Sequence, residues 1–410
     1  MPRPKALPPV PRDPEDDYTP AAAAARLALW AAAGAPLPRH VAGAPVPSVE
    51  ARGNIENLAG FAQVPLGLAG PLHCDTSRGP RSVYVPLATT EGAMVASYAR
   101  GMKLLAAGGR ARARVLREGL TQNPVLVYAS NARAEAARAR AEASLARWQR
   151  MVRATTRHGR LVRVVPRTIG RRLVLQLWFT TGDAIGINMA ARAADLASAD
   201  LARRTGALAR YVHGQDVEKR ANARATVEGR GRTVVAEAVV PRAALATLAR
   251  TTPEALVAVL DTYRVAYAEL GTHNWLVQAA NGLAGLFLAC GQDLAYVVEC
   301  ATGQLDFAIT AGGDLYASVH LPSMLVGTVG GGSGQGTARE CLELLGCAGA
   351  GKANLFAELA AATVLAGELS LMAAFTAHEF VAAHERLGRN RPSAAAGRPA
   401  RTRRLRRPRR

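Results

Sequence analysis

The chain has 410 residues, 49% apolar and 20% charged, which is enough to bury a sizeable core and form two or three domains. Its net charge of +20 resembles that of a nucleic-acid binder. Eleven arginines lie at or beyond Arg386 with no acidic residue among them, however, so the remainder carries an ordinary +9 and nucleic acid is not the expected partner. The five cysteines, Cys74, Cys290, Cys300, Cys341 and Cys347, have no zinc-type or redox spacing; they read as reduced, buried thiols, with no metal site expected.

The start, Met-Pro-Arg-Pro-Lys, is not followed by the apolar core of a signal peptide, and a cytoplasmic location is expected. Residues 1–20 are rich in Pro and charge and are expected to be disordered. Ala21–Ala33 reads as an alanine-rich helix, and 1–53 as an N-terminal extension. Residues 54–122 read as turn motifs alternating with helix. Asn131–Arg157 has the pattern of a charged amphipathic helix, Leu161–Val165 and Arg172–Thr180 are β-rich, and Ile187–Leu208 is again helical. That alternation fits a small inserted α+β domain over 123–210. Further on, Arg232–Val240 predicts a strand, Pro253–Glu269 a helix, Gln278–Gly291 a buried small-residue helix, and Gln304–His320 a hairpin. Leu359–Ala377 is long and apolar but interrupted by Glu368, as in a core helix rather than a membrane span. The segment Gly330–Gly336 reads as a close backbone approach or a flexible loop; it lacks the Lys-Ser/Thr pair of a nucleoside triphosphatase loop.

Several segments set one ionisable group among small residues. In Ala88-Thr89-Thr90-Glu91-Gly92, a carboxyl precedes an apolar helical run, where it is well placed as a shielded acid. Others are Glu56-Asn57-Leu58-Ala59-Gly60 leading to Pro65–Leu72, Gly182-Asp183-Ala184-Ile185-Gly186-Ile187-Asn188-Met189, Glu228-Gly229-Arg230-Gly231, Ala289-Cys290-Gly291-Gln292-Asp293 and Ala366-Gly367-Glu368-Leu369-Ser370. In this order, from about residue 50 to 390, they closely resemble the soluble catalytic portion of the class I 3-hydroxy-3-methylglutaryl-CoA reductases.

The resemblance implies an α+β protein. A large, mainly helical CoA and substrate domain (54–122 and 222–390) would carry a small inserted cofactor domain (123–210) that lacks the Rossmann fold. A catalytic-lysine loop (211–221) would join them, and a basic tail (391–410) would follow. The implied reaction is four-electron reduction of (S)-3-hydroxy-3-methylglutaryl-CoA to mevalonate and CoA by NADPH, in isoprenoid biosynthesis, in an active site formed where two subunits of a homodimer or higher homo-oligomer meet. Lys219 would stabilise the oxyanion, Glu91 would protonate the aldehyde oxygen, Asp293 would sit beside both, and His384 would protonate the CoA thiolate. Thr156 and Arg157 would hold the cofactor's 2′-phosphate, and Asp183, Gly186 and Asn188 would line its site. Arg220 and Asn281 would contact the substrate.

Other positions depart from the family pattern. Thr-Arg-x-Pro-Val is Thr121-Gln122-Asn123-Pro124-Val125, so a substrate-contacting arginine is lost; Asp-Lys-Lys-Pro is Glu218-Lys219-Arg220-Ala221. A histidine is replaced by Gln278, and the Gln-Asn pair after Asp293 is Tyr296-Val297. These leave open a different acyl-CoA substrate, or a non-enzymatic descendant that binds polyanions through its basic tail.

Overall fold

The computed structural model describes residues 7–13, 19–51, 54–55, 58–59, 61–212, 218–220 and 227–377. His384, the Arg-rich tail and the Glu56-Asn57 pair lie outside the described residues. The alanine-rich start forms two helices rather than one, α1 (Pro20–Leu27) and α2 (Leu29–Ala32), with the Thr19 side chain capping the first.

Residues 54–122 hold more strand than their sequence suggests: β1 (Leu66–Thr76) and β2 (Gly79–Ala88), then α3 (Met94–Ala107) and β3 (Ala111–Gln122). The glycines and prolines of Pro65–Leu72 conceal β1, because proline normally argues against a paired strand. Here the β1–β2 register is irregular between Ala69 and Leu72, and that irregularity accommodates Pro71.

The next stretch contains β4 (Val125–Val127), α4 (Asn131–Glu142), α5 (Leu145–Arg153), β5 (Arg160–Ile169), β6 (Arg172–Thr180), α6 (Ile187–Thr205) and β7 (Ala209–Tyr211). The single helix expected over 131–157 is broken at Ala143–Ser144, with Ser130 capping α4. Beyond it come β8 (Gly231–Val240), α7 (Arg242–Ala249), α8 (Pro253–Glu269), α9 (Ala279–Ala289), α10 (Val297–Cys300), β9 (Gln304–Ile309), β10 (Leu315–Met324), α11 (Gly336–Leu344) and α12 (Ala353–Thr376); β8, α8, α9, the β9–β10 hairpin and α12 lie close to the expected spans, whereas α7 and α10 are additional helices.

The strands run β7-β4-β6-β3-β8-β10-β9, with β5 on β6 and the β1–β2 hairpin on β3. Strand β3 links the two halves. Arg112–Gly119 pair with β8, whereas Leu120, Thr121 and Gln122 pair with β6. Helices α4, α5 and α6 pack on the β3–β6 side, and α12 lies against α3, α9 and β8 on the other.

α12 is apolar on all sides because all its sides are covered: twenty of its 24 residues are buried. It is long and apolar enough to cross a membrane, but 83% of its apolar window is buried in the protein. Two buried carboxylates on it organise its neighbours. Glu358 accepts hydrogen bonds from the Ser77 and Val115 backbone N–H groups at 2.9 and 3.1 Å. Glu368 accepts from those of Val277 and Gln278 at 2.8 Å each, satisfying donors at the start of α9.

Candidate active site

α9 separates two pairs of candidate residues. At its N-terminal end, the Asn281 side-chain amide donates to Glu91 at 3.2 Å. Glu91 lies in the turn after β2, where its backbone N–H donates to the Thr89 hydroxyl at 2.9 Å; α3 then begins at Met94, after Ala93 in the left-handed region at φ 67°. Glu91 is exposed, not shielded as the sequence suggests, because nothing among the described residues packs over this turn.

The same end is anchored by Gln278. Its side-chain amide donates to the Gly367 carbonyl at 2.8 Å and the Ser97 hydroxyl at 3.2 Å, while its backbone carbonyl accepts from the Tyr98 hydroxyl at 2.7 Å. Glycine is required at 282 and 367, since a Cβ there would come within 2.1 Å of the Tyr98 hydroxyl and 2.5 Å of its ring, respectively. The Gln278 substitution therefore belongs to a packed junction of α3, α9 and α12.

At the other end of α9, Lys219 Nζ lies 2.7 Å from Asp293 and 4.9 Å from the centre of the Tyr296 ring. Asp293 also caps the short turn that follows it, accepting from the Ala295 N–H at 3.0 Å. The Tyr296 hydroxyl donates to Glu218, so the residue that departs from the family pattern forms the platform under the lysine. Lys219 itself adopts φ 55°, an uncommon value for a side-chain-bearing residue. Its backbone N–H donates to Glu299 at 2.5 Å, and Glu299 forms a fork-like pair with Arg230 at 2.6 and 2.9 Å. Both side chains are buried. Sequence reading passed over Glu299, although Arg230 within the Glu228–Gly231 motif pointed to a carboxylate partner. Across the same turn, Gly332 meets the backbone of Gly291, where a Cβ would fall 2.7 Å from the carbonyl oxygen; this is the close approach expected of the glycine loop.

From Asn281 to Ala289 is about 12 Å along the axis at the α-helical rise. Within one chain, Asp293 thus joins Lys219 but stands a helix length from the Glu91–Asn281 pair. Arg220 is exposed beside Lys219. Gln122 is fully buried, and neither its amide oxygen nor its nitrogen has a hydrogen-bond partner among the described residues.

The candidate cofactor residues gather at the start of α6. The Thr156 hydroxyl accepts from the His158 and Gly159 N–H groups at 3.3 and 3.1 Å, forming a turn that leaves Arg157 exposed. That turn packs on the first turn of α6: a Cβ on Gly159 would fall 2.4 Å from Met189. Gly186 has φ 84° and precedes α6 with no side-chain cap, and Asn188 is exposed on the first turn. An uncapped helix N-terminus beside a free guanidinium favours an anion. Asp183 is engaged differently, since its carboxylate accepts from the Gly351 and Ala353 N–H groups at 2.5 and 3.1 Å ahead of α12. Burial pushes its pKa up, but these backbone N–H groups, that of Lys352 and the Arg232 charge together hold it below the usual carboxylate value.

The protein is of the mixed α/β class, with a basic turn beside an open helix start and a lysine held on an aspartate. The hydroxymethylglutaryl-coenzyme A reductase family model matches residues 25–389. The 3-hydroxy-3-methylglutaryl-coenzyme A reductase of Methanothermobacter thermautotrophicus is 39% identical over 341 residues, covering 82% of this chain and 86% of that protein. The same-named protein of Haloferax volcanii is 39% identical over 381 residues, covering 91% and 94%. A solved class II 3-hydroxy-3-methylglutaryl-CoA reductase from Streptococcus pneumoniae, bound to NADPH, shares the fold with TM-score 0.66 at 18% identity, covering 80% of this chain and 89% of that one. The chain belongs to the hydroxymethylglutaryl-coenzyme A reductase family and is an oxidoreductase.

Proposed function

We propose that the protein reduces (S)-3-hydroxy-3-methylglutaryl-CoA to mevalonate and CoA, using two NADPH, as a class I-type cytoplasmic enzyme of isoprenoid biosynthesis. The observation that carries this reading is the contact of Lys219 with Asp293 at 2.7 Å, in the loop where the family motif has its lysine. Thr156, Arg157, Gly186 and Asn188 fit a nucleotide with an extra phosphate, since they offer a free guanidinium and unfilled backbone donors. When bound, NADPH supplies the hydride. Lys219 then stabilises the negative oxygen, Asp293 holds the lysine in place, Glu91 gives its proton to the aldehyde oxygen, and His384 gives one to the leaving thiolate.

The active form is a homodimer in this reading. Two candidate pairs at opposite ends of α9 make a single chain an incomplete site, and Leu288, Leu294 and Val298 expose apolar surface along the end that carries Asp293. The test is NADPH oxidation by folded protein with hydroxymethylglutaryl-CoA beside a panel of other acyl-CoAs. Turnover of the first substrate is expected, and its absence overturns the reading. A second reading, reduction of a different acyl-CoA, is favoured by Gln122, whose unpartnered buried amide replaces a charged contact. Preferential turnover of a panel member would establish it.

A further inference from the structure

Between residues 123 and 212, sixteen arginines stand against five acidic residues, a net charge of +11, with no lysine present. Many of the arginines are paired: Arg138 with Glu135 and Glu142, Arg147 and Arg204 with Asp200, Arg210 with Asp195. Arg163 is not. Together with Arg117 of β3 it lies against the ring of Trp178, the two guanidinium carbons 4.5 and 5.2 Å from the ring centre. The strand register explains the grouping, because Trp178 of β6 stands opposite Arg163 on one side and Thr121 on the other. Gly119 lets the ring lie close to β3, since a Cβ there would fall 2.8 Å from it.

Cation–π attraction holds each guanidinium on the ring, yet it sets two like charges together. Burial and then the Arg163 charge push the Arg117 pKa down, partly offset by Glu228. His320 also faces Arg117, and burial and that charge lower its pKa, favouring the neutral form. Among the described residues, neither the Arg117 nor the Arg163 side chain makes a hydrogen bond or a close ion pair, although both are exposed. The Trp178 indole N–H, in a side chain only 3% exposed, has no acceptor either. The cluster therefore has many donors and two positive charges, with no acceptor hydrogen-bonded to them among the described residues.

We propose that Arg117, Arg163 and Trp178 form a binding site for a phosphate-class anion carried by a ligand of this enzyme. Two planar guanidiniums pre-positioned on one ring match the oxygens of a phosphate group, which each can engage with paired N–H bonds. Glu228, which faces Arg117, is two residues from Arg230, and Arg230 lies 5.7 Å from the same Tyr296 ring that underlies Lys219. The choice between a phosphate of CoA and one of the dinucleotide rests on the function proposed above; the anion site itself does not.

The experiment is calorimetric titration of inorganic phosphate into the full-length protein without substrate, alongside the Arg117→Gln/Arg163→Gln double variant and Arg163→Lys. Saturable binding is expected, weakened roughly tenfold or more in the double variant and less in Arg163→Lys, which keeps the charge but loses the fork. Both arginines are exposed, so an unchanged thermal midpoint serves as the folding control. No saturable binding, or equal binding by the parent and the double variant, overturns the proposal. The source of the anion is read by comparing CoA with dephospho-CoA, and NADP⁺ with NAD⁺. A loss in the double variant confined to CoA, or to NADP⁺, assigns the ribose phosphate, equal losses within one pair assign that ligand's diphosphate, and unchanged binding of all four overturns the claim that a ligand phosphate is what binds. None of these measurements needs turnover, so they stand or fall separately from the reaction.

Discussion

Lys219 Nζ reaches Asp293 at 2.7 Å while its own backbone is held by Glu299, so one residue is fixed from both ends. The side-chain end of this arrangement is more than a third exposed on both partners and contributes little to folding, about 0–1 kcal/mol. Its value lies in where it holds a cation. Lys219→Met is therefore expected to lower kcat by about 10² to 10³, the usual cost of losing an oxyanion-stabilising group, with the thermal midpoint little changed. A variant that keeps parental kcat in the NADPH assay would remove Lys219 from the chemistry.

The backbone end behaves differently. Arg230 and Glu299 are both buried and hydrogen-bonded in a fork, and removing one partner of such a pair leaves an uncompensated charge. Glu299→Leu is expected to destabilise the fold by about 3–5 kcal/mol in denaturant titration. The milder Glu299→Gln should keep most of the stability yet reduce kcat by freeing the Lys219 turn. Parental stability in Glu299→Leu contradicts this.

Glu368 is fully buried, and that burial pushes its pKa up to about 7 despite the N–H groups of Val277, Gln278 and Ala279. The folded protein therefore retains this proton up to near neutrality, whereas the unfolded chain releases it near the ordinary value of 4.5. Its contribution to stability is then complete below about pH 4.5 and lost as pH rises toward 7, on the order of 3 kcal/mol in all. Asp200, held down to about 2 by Arg147, Trp148 and Arg204 despite burial, has the opposite slope at lower pH. Glu368→Gln should flatten the decline between pH 4.5 and 7 in urea titrations; superimposable profiles for variant and parent refute the assignment.

Arg157→Gln should weaken NADPH by roughly 1.5–3 kcal/mol, the usual range for a hydrogen bond to a charged group, and NADH much less. The guanidinium is exposed on a turn formed by Thr156, so its loss should leave the fold intact. Equal weakening of both dinucleotides would make Arg157 a structural residue.

Much of this arrangement was readable from residue order. Pro253–Glu269 follows periodicity because one face is buried and Thr252 ahead of Pro253 marks its start, and Arg172–Thr180 is legible as a β-rich run because Leu175–Phe179 are buried on both faces of the strand. β1 was not readable, since its glycines and Pro71 suit a turn until a neighbouring strand supplies the irregular register. The acid Glu91 could be placed before a helix, but its exposure depends on what packs over the turn, and local sequence does not carry that information. Glu299 was missed for a similar reason. It comes eighty positions after the lysine whose backbone it holds, and nothing in Val297-Val298-Glu299-Cys300 marks the glutamate as paired. Asp183 fits a cofactor-lining motif, yet its carboxylate is occupied ahead of α12, a helix more than 160 residues away.

The Glu91–Asn281 contact leads to a test that separates the two halves of the reaction. Glu91 is exposed and held at 3.2 Å by one amide, so a charge-neutral change there should not disturb the core. In the proposed mechanism it acts when the aldehyde oxygen needs a proton, and His384 acts when the thiolate leaves. Glu91→Gln is thus expected to slow reduction of free mevaldehyde by about 10² to 10⁴, the usual cost of losing a positioned general acid. His384→Gln should leave mevaldehyde reduction near parental and slow the thioester half-reaction by a similar factor. Asn281→Ala, which removes only the holder, should give an intermediate loss on the aldehyde with KM little changed. Equal losses in both half-reactions for Glu91→Gln and His384→Gln would sink the division of roles. If His384→Gln instead matches the parent in both, the thiolate takes its proton from another donor, and Gln122, Gln278 and Tyr296 become the marks of a reductase working on a different thioester.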